Sequence, residues 1–271
     1  MWTASVSLHK REAGAVTPLV ATFELCERLP DGTINVLETG TTDTDGNLDF
    51  TRKIVYTDGV CHNSTYFIRE KTAPAGYELD TKEYAVSCDS NEQHISLTIE
   101  NAPIIGSIEL HKRSSIGRPM QGVTFLLEYS LDEGRTWKAV TKRSSDSTIT
   151  PGTCTSEKLE QDGTIQTTGD GNAVFEGLRV YTFDGKLIQY RVTETETLNG
   201  SSLMPGPVWE GSLTIEKEGI EKHDIVLRVV NSPLLELPDT GSNTLALMPI
   251  GLILCAVACM GAFFFLRRKE A

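Results

Sequence analysis

Two long stretches of this chain repeat one another, and both are written with a two-residue period. Ser5-Val-Ser-Leu-His-Lys10 returns as Ser107-Ile-Glu-Leu-His-Lys112, and Ala21-Thr-Phe-Glu-Leu25 returns as Val123-Thr-Phe-Leu-Leu127. The turn Asp45-Gly46-Asn47 returns as Asp170-Gly171-Asn172. Tyr66-Phe-Ile-Arg-Glu70 returns as Tyr190-Arg-Val-Thr-Glu194, and Ile99-Glu-Asn101-Ala-Pro103 as Val229-Val-Asn231-Ser-Pro233. Apolar and polar residues alternate between Gly, Asp and Asn turns, and no helical period is sustained. Such a pattern predicts an all-β fold of two tandem β-sandwiches. The repeats run over 1–103 and 104–233. The second is longer, and the added residues fall mainly at 131–168, expected to form a long loop or an added hairpin.

A period of two also predicts where side chains point, because residues i, i+2 and i+4 of a strand share a face. Val6, Leu8 and Lys10 then point one way, and Ser7, His9 and Arg11 the other. Tyr66, Ile68 and Glu70 share a face, as do Ile95, Leu97, Ile99 and Asn101. The second repeat behaves alike, with Ile108, Leu110 and Lys112, then Tyr190, Val192 and Glu194, then Ile225, Leu227, Val229 and Asn231. Each repeat therefore aims a Lys, a Glu and an Asn off its apolar faces. Lys and Glu are seldom buried unless paired, so the competing expectation places each at a strand end, in water. Six matching placements favour the buried set.

Burial would drive a lysine amine below its ordinary pKa of about 10.4, freeing a nucleophile, and would drive a neighbouring glutamate upward. Such an acid can hydrogen-bond an asparagine amide, polarise its carbonyl and pass a proton to departing ammonia. Held in contact, the pair gains an effective molarity of roughly 10⁵–10⁸ M. The product is a Lys–Asn isopeptide bond, formed once per domain without turnover, tying the first strand to the last.

These motifs, Val-x-Leu-x-Lys near the start, Tyr-x-Ile-x-Glu before Thr72-Ala-Pro-Ala-Gly-Tyr77, and a closing Asn-x-Pro, resemble the collagen-adhesin B-type, or SpaA-like pilin, domain of Gram-positive surface proteins. The resemblance covers most of residues 4–233 and implies prealbumin-like (Ig-like) β-sandwiches, many of which carry a Lys–Asn cross-link and a catalytic acid. It assigns Lys10 and Asn101 to one cross-link with Glu70 as the acid, and Lys112 and Asn231 to the other with Glu194. The second repeat is looser: Thr195-Glu-Thr-Leu-Asn-Gly200 lacks the Ala-Pro-x-Gly-Tyr run, and Glu196 rivals Glu194.

The C-terminal residues are of another kind. Leu245 to Leu266 is an uncharged apolar run long enough to cross a membrane once at about 1.5 Å per residue. Arg267, Arg268 and Lys269 follow it, predicting a cytoplasmic tail at 267–271. Before it, within a linker at 234–244, stands Leu237-Pro238-Asp239-Thr240-Gly241. That three-part order is similar to the LPxTG sorting signal of sortase substrates. It implies cleavage between Thr240 and Gly241 and attachment of Thr240 to the peptidoglycan cross-bridge. The membrane helix would hold only the precursor. Met1-Trp-Thr-Ala-Ser-Val6 has neither the basic nor the apolar region of a signal peptide, so the true start is expected upstream.

Composition narrows the function. With 39% hydrophobic and 23% charged residues, wholesale disorder is excluded. A net charge of −12 argues against a nucleic-acid partner. No Cys/His spacing suggests zinc, no metal or cofactor is called for, and no Ser/His/Asp set or phosphate loop emerges. Cys61 and Cys88 are the preferred disulfide pair, set against four free or solvent-facing thiols that include Cys26 and Cys154. The expected role is a stalk, or a basal or minor pilin, anchored to the cell wall with sortase as its processing partner. A Tyr-Pro-Lys pilin motif is absent, which counts against a polymerising backbone subunit. One alternative is an adhesin binding a host or matrix ligand through 131–168, and another a single-pass receptor in which Leu-Pro-Asp-Thr-Gly is accidental.

Overall fold

Alternating sequence becomes alternating burial along the first strand. In the computed structural model of the chain, Ala4, Val6 and Leu8 are buried on β1 (Trp2–Glu12), while Ser5 and His9 on the opposite face are only half-buried. The structure describes residues 2–56, 65–87, 90–145, 147–198, 201–217 and 220–231. The expected Cys61–Cys88 disulfide, the Leu237–Gly241 motif and the apolar run at 245–266 lie outside these residues. Among the described residues no helix is long and apolar enough to cross a membrane.

After β1 come β2 (Thr22–Arg28), β3 (Ile34–Thr41), β4 (Asn47–Asp49), β5 (Ile54–Tyr56), β6 (Thr65–Thr72), β7 (Glu83–Val86) and β8 (Gln93–Asn101). They make two four-stranded sheets. In one, β1 lies between β4 and β5 on one side and β8 on the other; the second runs β3-β2-β6-β7. The inner faces enclose a core that includes Val6, Leu8, Phe23, Leu25, Ile54, Ile68 and Ile99.

The same plan recurs around a second core. Its strands are β9 (Ile105–Ser114), β10 (Thr124–Ser130), β11 (Lys138–Ala139), β12 (Thr141–Lys142), β13 (Thr153–Cys154), β14 (Thr164–Gln166), β15 (Asn172–Arg179), β16 (Gln189–Glu196), β17 (Pro207–Ser212), β18 (Ile215–Lys217), β19 (Ile220–Lys222) and β20 (Asp224–Asn231). One sheet runs β15-β9-β20. The facing sheet runs β11-β10-β16-β17, with β14 also on β10. Ile108, Leu110, Phe125, Leu127, Phe175 and Val192 are fully buried between them. Both cores belong to one compact unit, Met1–Leu234. Residues 131–168 are more than a loop: Val140, Cys154, Leu159 and Ile165 pack into the second core. Cys26 and Cys154 are free thiols, and both are buried rather than solvent-facing.

Two features of this plan bear on the lysines. The first and last strands of each half are parallel neighbours: Lys10 pairs in register with Ile99, and Lys112 with Val229. The repeated Asp-Gly-Asn turn closes on each lysine's backbone, where the Lys10 amide donates to the Gly46 carbonyl at 2.7 Å and the Lys112 amide to the Gly171 carbonyl at 2.6 Å. Gly46 has φ +78°, and a Cβ there would sit 2.3 Å from the Lys10 carbonyl oxygen. Gly171 repeats this geometry. Gly46→Ala therefore meets both a left-handed backbone and a backbone clash, and is expected to cost about 2 kcal/mol or more. A denaturation midpoint shifted downward against wild type would show it.

Candidate functional site: two buried Lys–Glu–Asn sets

Parity delivers all six predicted residues to the interior. Lys10 and Lys112 are fully buried, and Glu70, Asn101, Glu194 and Asn231 are nearly so. In the first half, the Lys10 ammonium donates to Asn101 Oδ1 in a short contact, and its Nζ lies 3.2 Å from Glu70 Oε1. The Asn101 amide nitrogen donates to both oxygens of Glu70 at 2.9 Å. Glu70 Oε2 also accepts from the Asp80 backbone amide at 2.8 Å. Asp80 is itself held by the Tyr84 hydroxyl at 2.6 Å. The Phe23 ring closes the other side, its centroid 5.4 Å from Lys10 Nζ, within cation–π range.

The second half places the same groups together with looser contacts. Lys112 Nζ is 3.7 Å from Glu194 Oε2, and the Asn231 amide nitrogen donates to Glu194 Oε1 at 2.6 Å and to Thr197 Oγ1 at 2.9 Å. Lys112 Nζ, Glu194 Oε2 and Asn231 Oδ1 are buried with no hydrogen-bond partner. Three such atoms in one place are costly, since each forfeits its hydration without a replacement bond. Glu196 is exposed and accepts a bond from the Thr124 hydroxyl at 3.0 Å, so Glu194 is the carboxylate beside Asn231.

Both acids are the last residues in regular register with β2 or β10. Glu70 pairs with Phe23 beside a register shift at Thr22/Phe23, and Glu194 pairs with Phe125 beside a shift at Thr124/Phe125. The bulges follow the acids in the chain and turn the strand beyond them. Burial pushes the Lys10 amine below the ordinary lysine range, and the nearby Glu70 charge opposes the shift. Lys112 moves the same way for the same reason, opposed by Glu194. The arrangement thus holds an amine, an amide and a carboxylate in contact, away from water.

Other groups around the first set were not anticipated. Glu12, next on the inward face after Lys10 and in register with Asn101, is fully buried. The step of two that gave Lys10 reaches Glu12 if continued. Tyr77 stood in a recognised motif without a role, and its hydroxyl donates to Glu12 Oε2 at 2.6 Å. Thr197 follows the end of its strand, where parity no longer applies. Among the described residues no group of His, Cys, Asp and Glu could hold a metal ion.

Comparison with known proteins agrees with this architecture. Residues 4–103 match SpaA, a prealbumin-like fold domain. No curated protein matches the chain. Among solved structures, the Bacillus anthracis TIE protein is similar with a TM-score of 0.50 and 18% identity, over 85% of this chain and 34% of that one. The chain thus spans about a third of that protein's length. The C-terminal fragment of pilus adhesin SpaC from Lactobacillus rhamnosus GG gives 0.44 and 15%, over 86% and 98% of the two chains. GBS52, the minor pilin of Streptococcus agalactiae, gives 0.32 and 15%, over 90% and 100%. Among the described residues the fold is all-β and prealbumin-like.

Proposed function

We propose that this chain is a structural subunit of a Gram-positive cell surface, a stalk or a basal or minor pilin, built of two sandwiches (1–103 and 104–233) that each cross-link themselves. In both halves a buried Lys on the first strand and a buried Asn on the last meet a buried Glu from the facing sheet, on β6 or β16, and this recurrence supports the assignment. Neutral Lys10 Nζ attacks Cγ of Asn101, to which the contacted Oδ1 is bonded. The new C–N bond forms, the C–Nδ2 bond breaks, and the proton lost by Nζ passes through Glu70 to Nδ2, which leaves as ammonia. Lys112, Glu194 and Asn231 do the same in the second half. Each reaction occurs once, so the protein is its own substrate and has no turnover.

Position makes the bond mechanical. A pull on the ends of either half loads two parallel neighbours in shear, and an amide between them carries that load covalently. Residues 131–168 contribute to the second core, which favours a supporting role for them over that of a free binding loop. The Leu237–Gly241 motif supports anchoring by sortase through Thr240 to the cell-wall cross-bridge, with other pilins as further partners.

Two outcomes follow. Peptide mass spectrometry after digestion is expected to find the strand containing Lys10 joined to that containing Asn101; separate, unmodified peptides would remove this cross-link. Incubating the full chain with sortase and triglycine is expected to release residues 241–271 and leave triglycine on Thr240. An intact chain would remove the anchoring role.

A further inference from the structure

The Lys10 set ends against a second buried cluster that joins the two cores. Glu12 and Arg179, the last residues of β1 and β15, are both fully buried. Arg179 Nη1 donates to both Glu12 oxygens at 3.0 Å, and Nη2 donates to the Tyr77 hydroxyl at 2.7 Å. The guanidinium also donates to the carbonyls of Tyr181 and Ile149, both at 2.8 Å, so three of its nitrogens are engaged. Two rings also stand within cation–π range of its Cζ, Tyr77 with the centroid at 5.1 Å and Phe183 at 4.3 Å. Glu12 and Tyr77 come from the first half and Arg179 from the second.

The chain between the cores is fixed as tightly. The Ile104 amide donates to the Gly76 carbonyl and the Val180 amide to the Ile104 carbonyl, each at 3.0 Å. Glu78 N–H reaches the Ala102 carbonyl at 3.0 Å, and Tyr77 bridges to Pro103. Gly76 lies so close to the second half that a Cβ on it would meet the Tyr181 Cβ at 2.6 Å. The cluster is not a product of the repeat, because the position matching Glu12 two residues after Lys112 is Ser114.

We propose that Glu12, Tyr77 and Arg179 form an interlock that fixes the two halves as one rigid body at this junction. A buried charge is tolerated only while its partner is present. Docking takes a carboxylate of one half and a guanidinium of the other out of water together, and neither would be tolerated there alone, so bending at residues 102–105 requires breaking the whole cluster. A pull entering one half then passes to the other without a hinge. The interlock holds whether or not the Lys–Asn cross-links form.

Amide hydrogen exchange on the full chain tests it. Arg179→Met is expected to speed exchange at Ile104 and Val180 by about tenfold or more, with amides inside β2 and β10 unchanged. Combining it with Glu12→Gln removes both charges and is expected to restore part of that protection. If Arg179→Met does not fold, Tyr77→Phe, which deletes only the bridging hydroxyl, is expected to speed the same amides several-fold. Protection at Ile104 and Val180 that stays at the wild-type level in the folded variant would overturn the interlock. So would a double variant whose exchange equals the sum of the two single effects.

Discussion

Lys10→Ala is expected to lower the thermal midpoint of the first half by about 20–35 °C and to raise the chain's mass, corrected for the substitution, by one ammonia. The proposed cross-link would close a loop of 91 residues, the separation of Lys10 and Asn101. Removing that constraint returns loop entropy to the unfolded chain, worth roughly 4–5 kcal/mol on the relation used for disulfides. For a domain of this size each 1 kcal/mol moves the midpoint by about 4–8 °C. Calorimetry and intact mass should be read together. Deleting a lysine also strands the buried Glu70 carboxylate, which is destabilising in itself. A lower midpoint without the returning ammonia would therefore report a broken ion pair and contradict a covalent bond. The Lys112–Asn231 bond should persist in this variant.

Glu70→Gln should abolish the first cross-link while leaving Lys10 and Asn101 in place, because the amide cannot relay the proton from Nζ to the leaving nitrogen. Its pH dependence follows from the lysine. Burial lowers the Lys10 pKa and the Glu70 charge opposes that shift, so removing the charge lowers it further. Between this depressed folded value and the ordinary unfolded value near 10.5, the unfolded state binds the extra proton. Stability therefore rises with pH across that window and falls as pH drops towards the folded value. In a cross-linked wild type this nitrogen would be an amide and would not titrate. Urea midpoints measured from about pH 6 to pH 10 should climb in Glu70→Gln relative to wild type. Parallel curves for the two proteins would contradict the assignment.

What was legible beforehand followed from strand parity and from repetition. Val6, Leu8 and Lys10, or Tyr190, Val192 and Glu194, lie on regular strands where a period of two holds, and each of these residues is buried, although Ser7 on the other face of β1 is buried too. Parity failed where the backbone leaves that period. Between Phe175 and Leu178 the register of β15 shifts, and beyond it Leu178, Arg179 and Val180 are buried in succession. No alternation could single out Arg179 there. Its partner Glu12 was within reach of the same step of two that gave Lys10, but the apolar pattern that makes an inward charge conspicuous ends at Leu8. Residues 131–168 were opaque for a related reason. Their strands are only two or three residues long, too short for a period, and the core residues Val140, Cys154, Leu159 and Ile165 are spaced irregularly.

Direct evidence for the cross-links comes from the intact mass of the full chain, reduced and fully denatured. Two self-formed isopeptide bonds predict a mass below that of the sequence by two ammonias, with Asn101→Ala and Asn231→Ala each showing a deficit of one. A wild-type mass equal to the sequence mass would contradict both cross-links and leave the six residues as two buried, uncoupled ion-pair sites.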